Sequence, residues 1–287
     1  MNLVDLYDGL DSKKRVLGVC SKIENIRKNY VFVNLENTSI NPNILAAKGI
    51  ILIVSKTLIY HKEVPCVLVS NVASEYIRLV NLVYKLDDQK LKKICLVNDI
   101  FLDIHQLLRD SFKLLKNENI YIINSFDNID SIYLDLSKQH QKQINYFLFV
   151  CHSVELERIL GYVEFDYILF SKSSHNTYTK LYSISNSLLK NNGLLIYNYD
   201  DFYYDFNSMS NSISFSFESD QDYLVSNIYT NQKLITFNLV KENFNEEFLL
   251  CLSKYDYIYF IISLIIFFKN ELVDASLIKT FLGKYSI

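Results

Sequence analysis

Lys92–Leu115, KKICLVNDIFLDIHQLLRDSFKLL, is the stretch on which the fold reading turns. Ile94–Val97 is a short apolar run with the length and character of a buried parallel strand. Asn98 and Asp99 follow as turn-prone residues. Phe101, Ile104, Leu107, Leu108, Phe112 and Leu115 then recur at spacings of three and four, which predicts a helix with one apolar face. Strand, sharp turn and helix is the unit in which an α/β nucleotide-binding domain holds its phosphates. This turn contains no glycine and no Lys-Ser or Lys-Thr pair.

On the amino-terminal side, residues 1–15 read as a short helix, and Val16–Cys20 and Tyr30–Leu35 as strands. Ile44–Lys48 suits a helix that Gly49 stops before the strand Ile50–Ser55. Val67–Val69 reads as a strand and Asn71–Tyr84 as an amphipathic helix with Asn71 as N-cap. The polar run Lys85–Lys93 then marks a boundary, so residues 1–88 form a small αβ domain and 89–287 a larger one. On the carboxyl-terminal side, Ile120–Asn124, Tyr146–Val150, Tyr167–Phe170 and Leu194–Tyr197 read as buried strands. Tyr178–Lys190 reads as a helix closed by Asn191-Asn192-Gly193. Ile213–Phe217 and Leu234–Leu239 read as antiparallel edge strands, and Tyr257–Lys269 and Asp274–Leu282 as closing helices. Alternating strands and helices predict an α/β fold, a small N-terminal αβ domain followed by a mainly parallel sheet with helices on both faces.

Composition narrows the function classes. Half of the 287 residues are hydrophobic, 21% are charged and the net charge is −3, which suits a core-forming protein and not a basic nucleic-acid binder. The longest apolar run, Ile258–Phe268, has 11 residues and is too short to span a bilayer. The acidic start MNLVDLYDGLDSKKR has no apolar signal core, which argues against secretion and for a cytoplasmic protein. Five cysteines without CxxC spacing read as reduced, mostly buried thiols, and five scattered histidines suggest no metal site. Only 6 glycines occur, all isolated, so no glycine-rich phosphate loop exists.

Three constellations remain as candidates. Asp200-Asp201 follows a buried strand at the sheet's carboxyl end, where such a pair holds Mg²⁺ or a ribose, or simply forms a solvated turn. His152, with Arg158 six residues on, could receive an anion, or be a helix-start histidine and a surface arginine. Asp99 and Asp103 bracket the place of a phosphate, where carboxylates repel it.

The order of these pieces resembles the Mur ligases, and among them the UDP-N-acetylmuramoyl-tripeptide synthetase (MurE) type. GVCSKIENIRKNYVFVNL, from Gly18, resembles the family's T-x-D-S-R…G-D-L-F-V-A-L opening, with Ser21 kept and Lys22 in place of arginine. AAKGIILIVSK and VPCVLVSNVASEYIRLVNLVY follow the family's next segment. FVCHSVELERI with VEFDYILFS is similar to E-V-S-S-H-x-L…R-V…F-D…F-T, LLKNNGLLIYNYDD to G-G-x-x-V-I-N-x-D-D, and SFSFESDQDYLVSNI to T-x-G…D-x-x-A-x-N-I. The resemblance implies a UDP-sugar-binding N-terminal domain, here shortened, and a central ATPase-like domain, with the family's third, amino-acid-binding domain absent. Family chemistry is ATP- and Mg²⁺-dependent amide formation through an acyl phosphate.

Laid on the family's G-T-N-G-K-T-T loop, this chain reads Asn98-Asp99-Ile100-Phe101-Leu102-Asp103-Ile104. Leu102 takes the place of the phosphate lysine, Asp103 of the Mg²⁺-side threonine and Leu148 of a Mg²⁺-binding glutamate. The modified lysine falls near Ser183, with Lys180 a turn away, and KSSHNTY replaces N-x-x-R-D-H. The resemblance leaves Ser21, His152 and Arg158 as ancestral substrate-binding residues and Asp200 and Asp201 as ancestral nucleotide-binding ones. No catalytic residue or metal ligand is expected. The expectation is a degenerate, pseudoenzyme-like homologue of the peptidoglycan ligase that adds the third amino acid, needing neither ATP nor Mg²⁺ and able to hold a UDP-sugar precursor or a Mur-pathway protein. Two alternatives stay open: a residual precursor ligase completed by a partner chain, and a non-catalytic α/β interaction protein.

Overall fold

The computed structural model describes residues 1–11, 13–84, 91–99, 105–115, 119–124, 130, 132–133, 144–160, 162–171, 178–201, 211–231, 234–242, 244–251 and 255–284. The chain divides into two compact units. The first comprises Met1–Lys90 with Phe126–Gln143, and the second Leu91–Ser125 with Ile144–Ile287. The division at Lys90 lies close to the charged run read as a boundary. The grouping of Phe126–Gln143 with the first unit was not legible in the sequence.

The first unit holds a four-stranded sheet in the order β1 (Gly18–Cys20), β2 (Tyr30–Val33), β3 (Ile50–Ser55), β4 (Cys66–Leu68). All its pairings are parallel. Every residue of β3 is buried, which explains its unbroken IILIVS run. Helix α1 (Pro42–Ala47) starts earlier than its apolar residues suggest. Asn41 caps it by accepting from the Asn43 amide at 3.0 Å, and Pro42 supplies the fixed φ of a first helical position. Gly49 ends it at φ +89°. Helix α2 (Val72–Tyr84) opens as expected on Asn71, whose side chain accepts from the Ser74 amide. The expected first helix is reduced to a 3-10 turn, Leu3–Asp5. Tyr7 beyond it donates to Glu75 on α2, and Glu75 pairs with Arg78.

The described residues of the second unit form a nine-stranded sheet in the order β13 (Phe244–Cys251), β12 (Leu234–Lys241), β11 (Tyr223–Asn231), β10 (Ser212–Ser216), β9 (Leu189–Asn198), β8 (Phe165–Phe170), β5 (Lys92–Val97), β7 (Tyr146–Cys151), β6 (Ile120–Asn124). Strand β5 (Lys92–Val97) lies between β7 (Tyr146–Cys151) and β8 (Phe165–Phe170), parallel to both. Strand β6 (Ile120–Asn124) extends this block beyond β7. The helical periodicity after β5 is realised as α3 (His105–Ser111) and a 3-10 turn, Phe112–Leu114. Leu107, Leu108, Phe112 and Leu115 are buried, as their spacing requires. Helix α4 (Leu156–Ile159) follows β7.

Two expectations are corrected here. Helix α5 (Tyr178–Leu188) ends before Lys190, and β9 (Leu189–Asn198) already contains Asn191-Asn192-Gly193, read above as a helix stop. Gly193 is needed there because a Cβ would stand 2.9 Å from the Phe165 carbonyl oxygen on the neighbouring strand. Strand β10 (Ser212–Ser216) runs parallel to β9 instead of lying antiparallel at the edge. The antiparallel block is β11 (Tyr223–Asn231), β12 (Leu234–Lys241) and β13 (Phe244–Cys251). Helix α6 (Tyr257–Asn270) buries every residue from Ile258 to Phe268 except the half-exposed Tyr259. The Ser263 hydroxyl within it donates to the Phe170 carbonyl at 2.7 Å, so its one polar core residue is satisfied. Helix α7 (Ala275–Lys284) closes the unit. Among the described residues no helix is long and apolar enough to cross a membrane.

Candidate functional site

Open α/β sheets bind ligands beyond the carboxyl ends of their strands. In the second unit those ends present Asn98-Asp99 after β5, His152-Ser153 after β7 and Asp200-Asp201 after β9. Asp99, with a side chain only 3% exposed, accepts from the Ser153 amide at 2.8 Å. The His152 ring nitrogen Nδ1 lies 3.7 Å from the same carboxylate. The His152 amide donates to Glu155 at 2.8 Å, closing the first turn after β7 on two carboxylates. Asn98 is buried and receives the Ser171 hydroxyl at 3.0 Å. The turn is thus tied down by internal hydrogen bonds, and the Asp99 carboxylate satisfies the Ser153 amide.

Asp200 is engaged in the same way. Its carboxylate accepts from the Ser216 hydroxyl and, at 2.6 Å, from the Phe217 amide, organising the turn after β10. The Ser216 oxygen in turn receives the Glu218 and Ser219 amides at 3.0 and 2.9 Å. Asp201 completes a 3-10 turn, Tyr199–Asp201. Leu148, in the place of a Mg²⁺-binding glutamate, is fully buried within β7. Arg158 belongs to α4, and its side chain lies outside the described residues, as do Leu102, Asp103, the Lys180 side chain and residues 172–177. Ser183 is exposed on α5. His152 and Asp99 are brought together, whereas Asp200 makes its contacts in a separate turn.

The first unit contains a second focus, around Asp130. Its carboxylate is 5% exposed and gathers five donors. The Ser21 amide lies 2.9 and 2.8 Å from its two oxygens, the Ser21 hydroxyl at 2.8 Å, the Lys22 amide at 3.0 Å, the Asn25 side-chain amide at 3.1 Å and the Tyr76 hydroxyl at 2.5 Å. Burial and then the negative charge of Asp130 push the Tyr76 hydroxyl and the Cys20 thiol above their ordinary values, so neither ionises near neutrality. A cavity of about 140 Å³ adjoins this cluster, lined among others by Asn25, Arg27, Tyr30, Tyr84 and Asp130. Sequence reasoning singled out Ser21 but not Asp130. Its partners lie 54 to 109 residues away, and no local pattern marks it.

Larger clefts, of about 510 and 430 Å³, open beside Lys92 at the amino ends of the strands, away from the ligand-binding end of such sheets. Between them Glu271 receives the Lys92 ammonium at 2.6 Å, the Tyr146 hydroxyl at 2.7 Å and the Tyr167 hydroxyl, a cluster that ties α6 to β5, β7 and β8.

No family model matches the chain, and no curated protein sequence does. Solved structures do. A UDP-N-acetylmuramoyl-L-alanyl-D-glutamate–2,6-diaminopimelate ligase superposes with a TM-score of 0.77 at 14% identity, over 99% of this chain and 66% of that one. The MurF ligase of Thermotoga maritima, solved in complex with ADP, gives 0.60 at 14% identity over 96% and 66%. MurF from Acinetobacter baumannii gives 0.60 at 11% identity over 97% and 64%. The chain spans about two thirds of the length of these structures. Its α/β architecture, a four-stranded parallel sheet in one unit and a mainly parallel nine-stranded sheet in the other, is the fold found in the Mur ligases.

Proposed function

We propose that this chain is a Mur-ligase-fold protein of MurE-like descent that does not carry out ATP-dependent amide formation and acts instead by holding a UDP-sugar peptidoglycan precursor in its first unit. One observation carries the loss of ATP chemistry: the buried Asp99 carboxylate bonded to the Ser153 amide at the carboxyl end of β5. A phosphoryl group brought there would meet a fixed negative charge in a low-dielectric setting, where like charges a few ångströms apart repel by several kcal/mol. Neither Leu148 nor the Asn98-Asp99 turn offers what ATP and Mg²⁺ need: a metal-binding oxygen at the first, a lysine or close backbone approach at the second. The described residues at this end of the sheet therefore do not fit Mg²⁺-ATP.

The test is calorimetric titration of the full chain with ATP in the presence of Mg²⁺, followed by UDP-N-acetylmuramoyl-dipeptide. The expected result is no ATP binding up to millimolar concentration and saturable binding of the UDP-sugar. Micromolar, Mg²⁺-dependent ATP binding would overturn the non-catalytic reading. Absence of UDP-sugar binding would overturn the precursor-holding reading.

A further inference from the structure

The Ser21–Asn25 loop is folded around an anion that the chain itself supplies. Two backbone amides, a serine hydroxyl, an asparagine amide and a tyrosine hydroxyl converge on one carboxylate. Among the described residues no lysine or arginine pairs with it, and the neighbouring Lys22 ammonium turns to Glu36. A buried carboxylate met by neutral donors alone is stable only while every donor points inward. The direction of this loop is therefore set by Asp130. Asp130 and Asn25 are also wall residues of the 140 Å³ cavity, so the same carboxylate shapes the cavity next to it.

We propose that Asp130 is the positioning residue of this cavity: by taking the loop amides and the Ser21 hydroxyl it holds Asn25 and Arg27 at the cavity wall and leaves Arg27 to meet the negative charge of a ligand. The choice of a uridine nucleotide as probe rests on the precursor-holding reading above; the geometry of Asp130 does not. Both Asp130 oxygens are saturated, so it makes no ligand contact of its own. Its influence runs through loop order, as for a side chain that orients a binding group from behind. A phosphorylated ligand cannot use the Ser21 and Lys22 amides while Asp130 occupies them. Among the described residues Arg27 is the cation lining the cavity, and the exposed Glu24 carboxylate lines it as well, so Arg27 has to outweigh Glu24 toward a phosphate.

The experiment uses the full chain as wild type, D130A, D130N and R27A, with UDP-N-acetylmuramic acid and uridine as probes and sodium acetate as a carboxylate replacement. D130A and D130N are expected to lose nucleotide affinity at least about tenfold, the effect of one or more charged hydrogen bonds. Acetate is expected to restore the affinity and melting temperature of D130A but not of D130N, whose amide fills the space and brings a donor among donors. R27A is expected to weaken the nucleotide and leave uridine unchanged. D130A binding like wild type, or acetate leaving both its affinity and its melting temperature unmoved, would overturn the proposal. Should the wild type bind no nucleotide, the precursor-holding reading fails alone, and the acetate-dependent melting of D130A still decides the role of Asp130. If D130A does not fold, S21A removes one donor and keeps the carboxylate; unchanged nucleotide affinity in S21A would then count against the assignment.

Discussion

Glu271 shows how single carboxylates organise this molecule. Burial alone would raise its pKa, but hydrogen bonds from Lys92, Tyr167 and Tyr146 outweigh burial and hold the carboxyl below the usual glutamate value. A depressed folded-state pKa adds stability above the unfolded value of about 4.3, and that stability is lost as pH falls through the folded pKa. E271Q should therefore be less stable than wild type at neutral pH by about 1.5–3 kcal/mol, the range for hydrogen bonds to a charged group. The gap should narrow at an acidic pH below the unfolded value of about 4.3, as pH falls through the depressed folded-state pKa. Urea unfolding at the two pH values measures it, and a gap that does not depend on pH would refute the linkage. Tyr76 makes a parallel case in the first unit. Y76F removes the hydroxyl that reaches Asp130 at 2.5 Å and should cost about 1.5–3 kcal/mol of that unit's stability, read by the same denaturation. Neither cluster was legible in the sequence. Lys92, Tyr146, Tyr167 and Glu271 are up to 179 residues apart, and each alone reads as an ordinary strand or helix residue.

At the scale of elements, local rules read correctly where local forces decide. Gly49 was legible as a helix stop, and it does sit at φ +89°, with the Lys28 backbone 3.0 Å from the place of a Cβ. G49A should cost about 1–2 kcal/mol from the left-handed conformation alone, more if Lys28 cannot shift, and thermal unfolding would show it. Helix α6 was legible from its apolar run. Its Phe267 packs edge-on against Tyr167 at 4.9 Å between centroids and also meets Phe112, Tyr146 and Phe268. F267A should destabilise the protein by about 3–5 kcal/mol in chemical denaturation, since it removes a fully buried ring and leaves a cavity. Strands β11 and β13 were not legible. The second half of β11 is solvent-facing, and β13 carries Glu246 and Glu247 in its middle, so neither shows the apolar run of a central strand. Asn191-Asn192-Gly193 misled for the converse reason. These are turn residues by propensity, yet β9 continues through them as an irregular bulge, between the pairings of Leu189 with Phe165 and Leu194 with Tyr167 on β8.

Among the described residues, side-chain carboxylates take backbone amides in both units: Asp99 at the Ser153 amide, Asp130 in the Ser21–Asn25 loop, and Asp200 at the Phe217 amide. In each case the chain itself satisfies the backbone amide with a carboxylate. This leads to a global prediction that no single substitution tests. A ligand that binds only the folded state stabilises it by RT ln(1 + [L]/Kd), so at 1 mM a site with a Kd of about 1 µM would add about 4 kcal/mol. A site weaker than about 1 mM would add less than about 0.4 kcal/mol at that concentration. On the proposed non-catalytic reading, the wild-type protein should show only the smaller change when Mg²⁺-ATP, inorganic phosphate or pyrophosphate is added at 1 mM. UDP-N-acetylmuramoyl-dipeptide, bound through Arg27 and the cavity walls, should give the larger kind. Thermal unfolding monitored with each ligand separates the two. A rise of several degrees with Mg²⁺-ATP would mean that Asp99 yields its amide to a phosphate, and the account of a ligase fold closed by its own carboxylates would have to be abandoned.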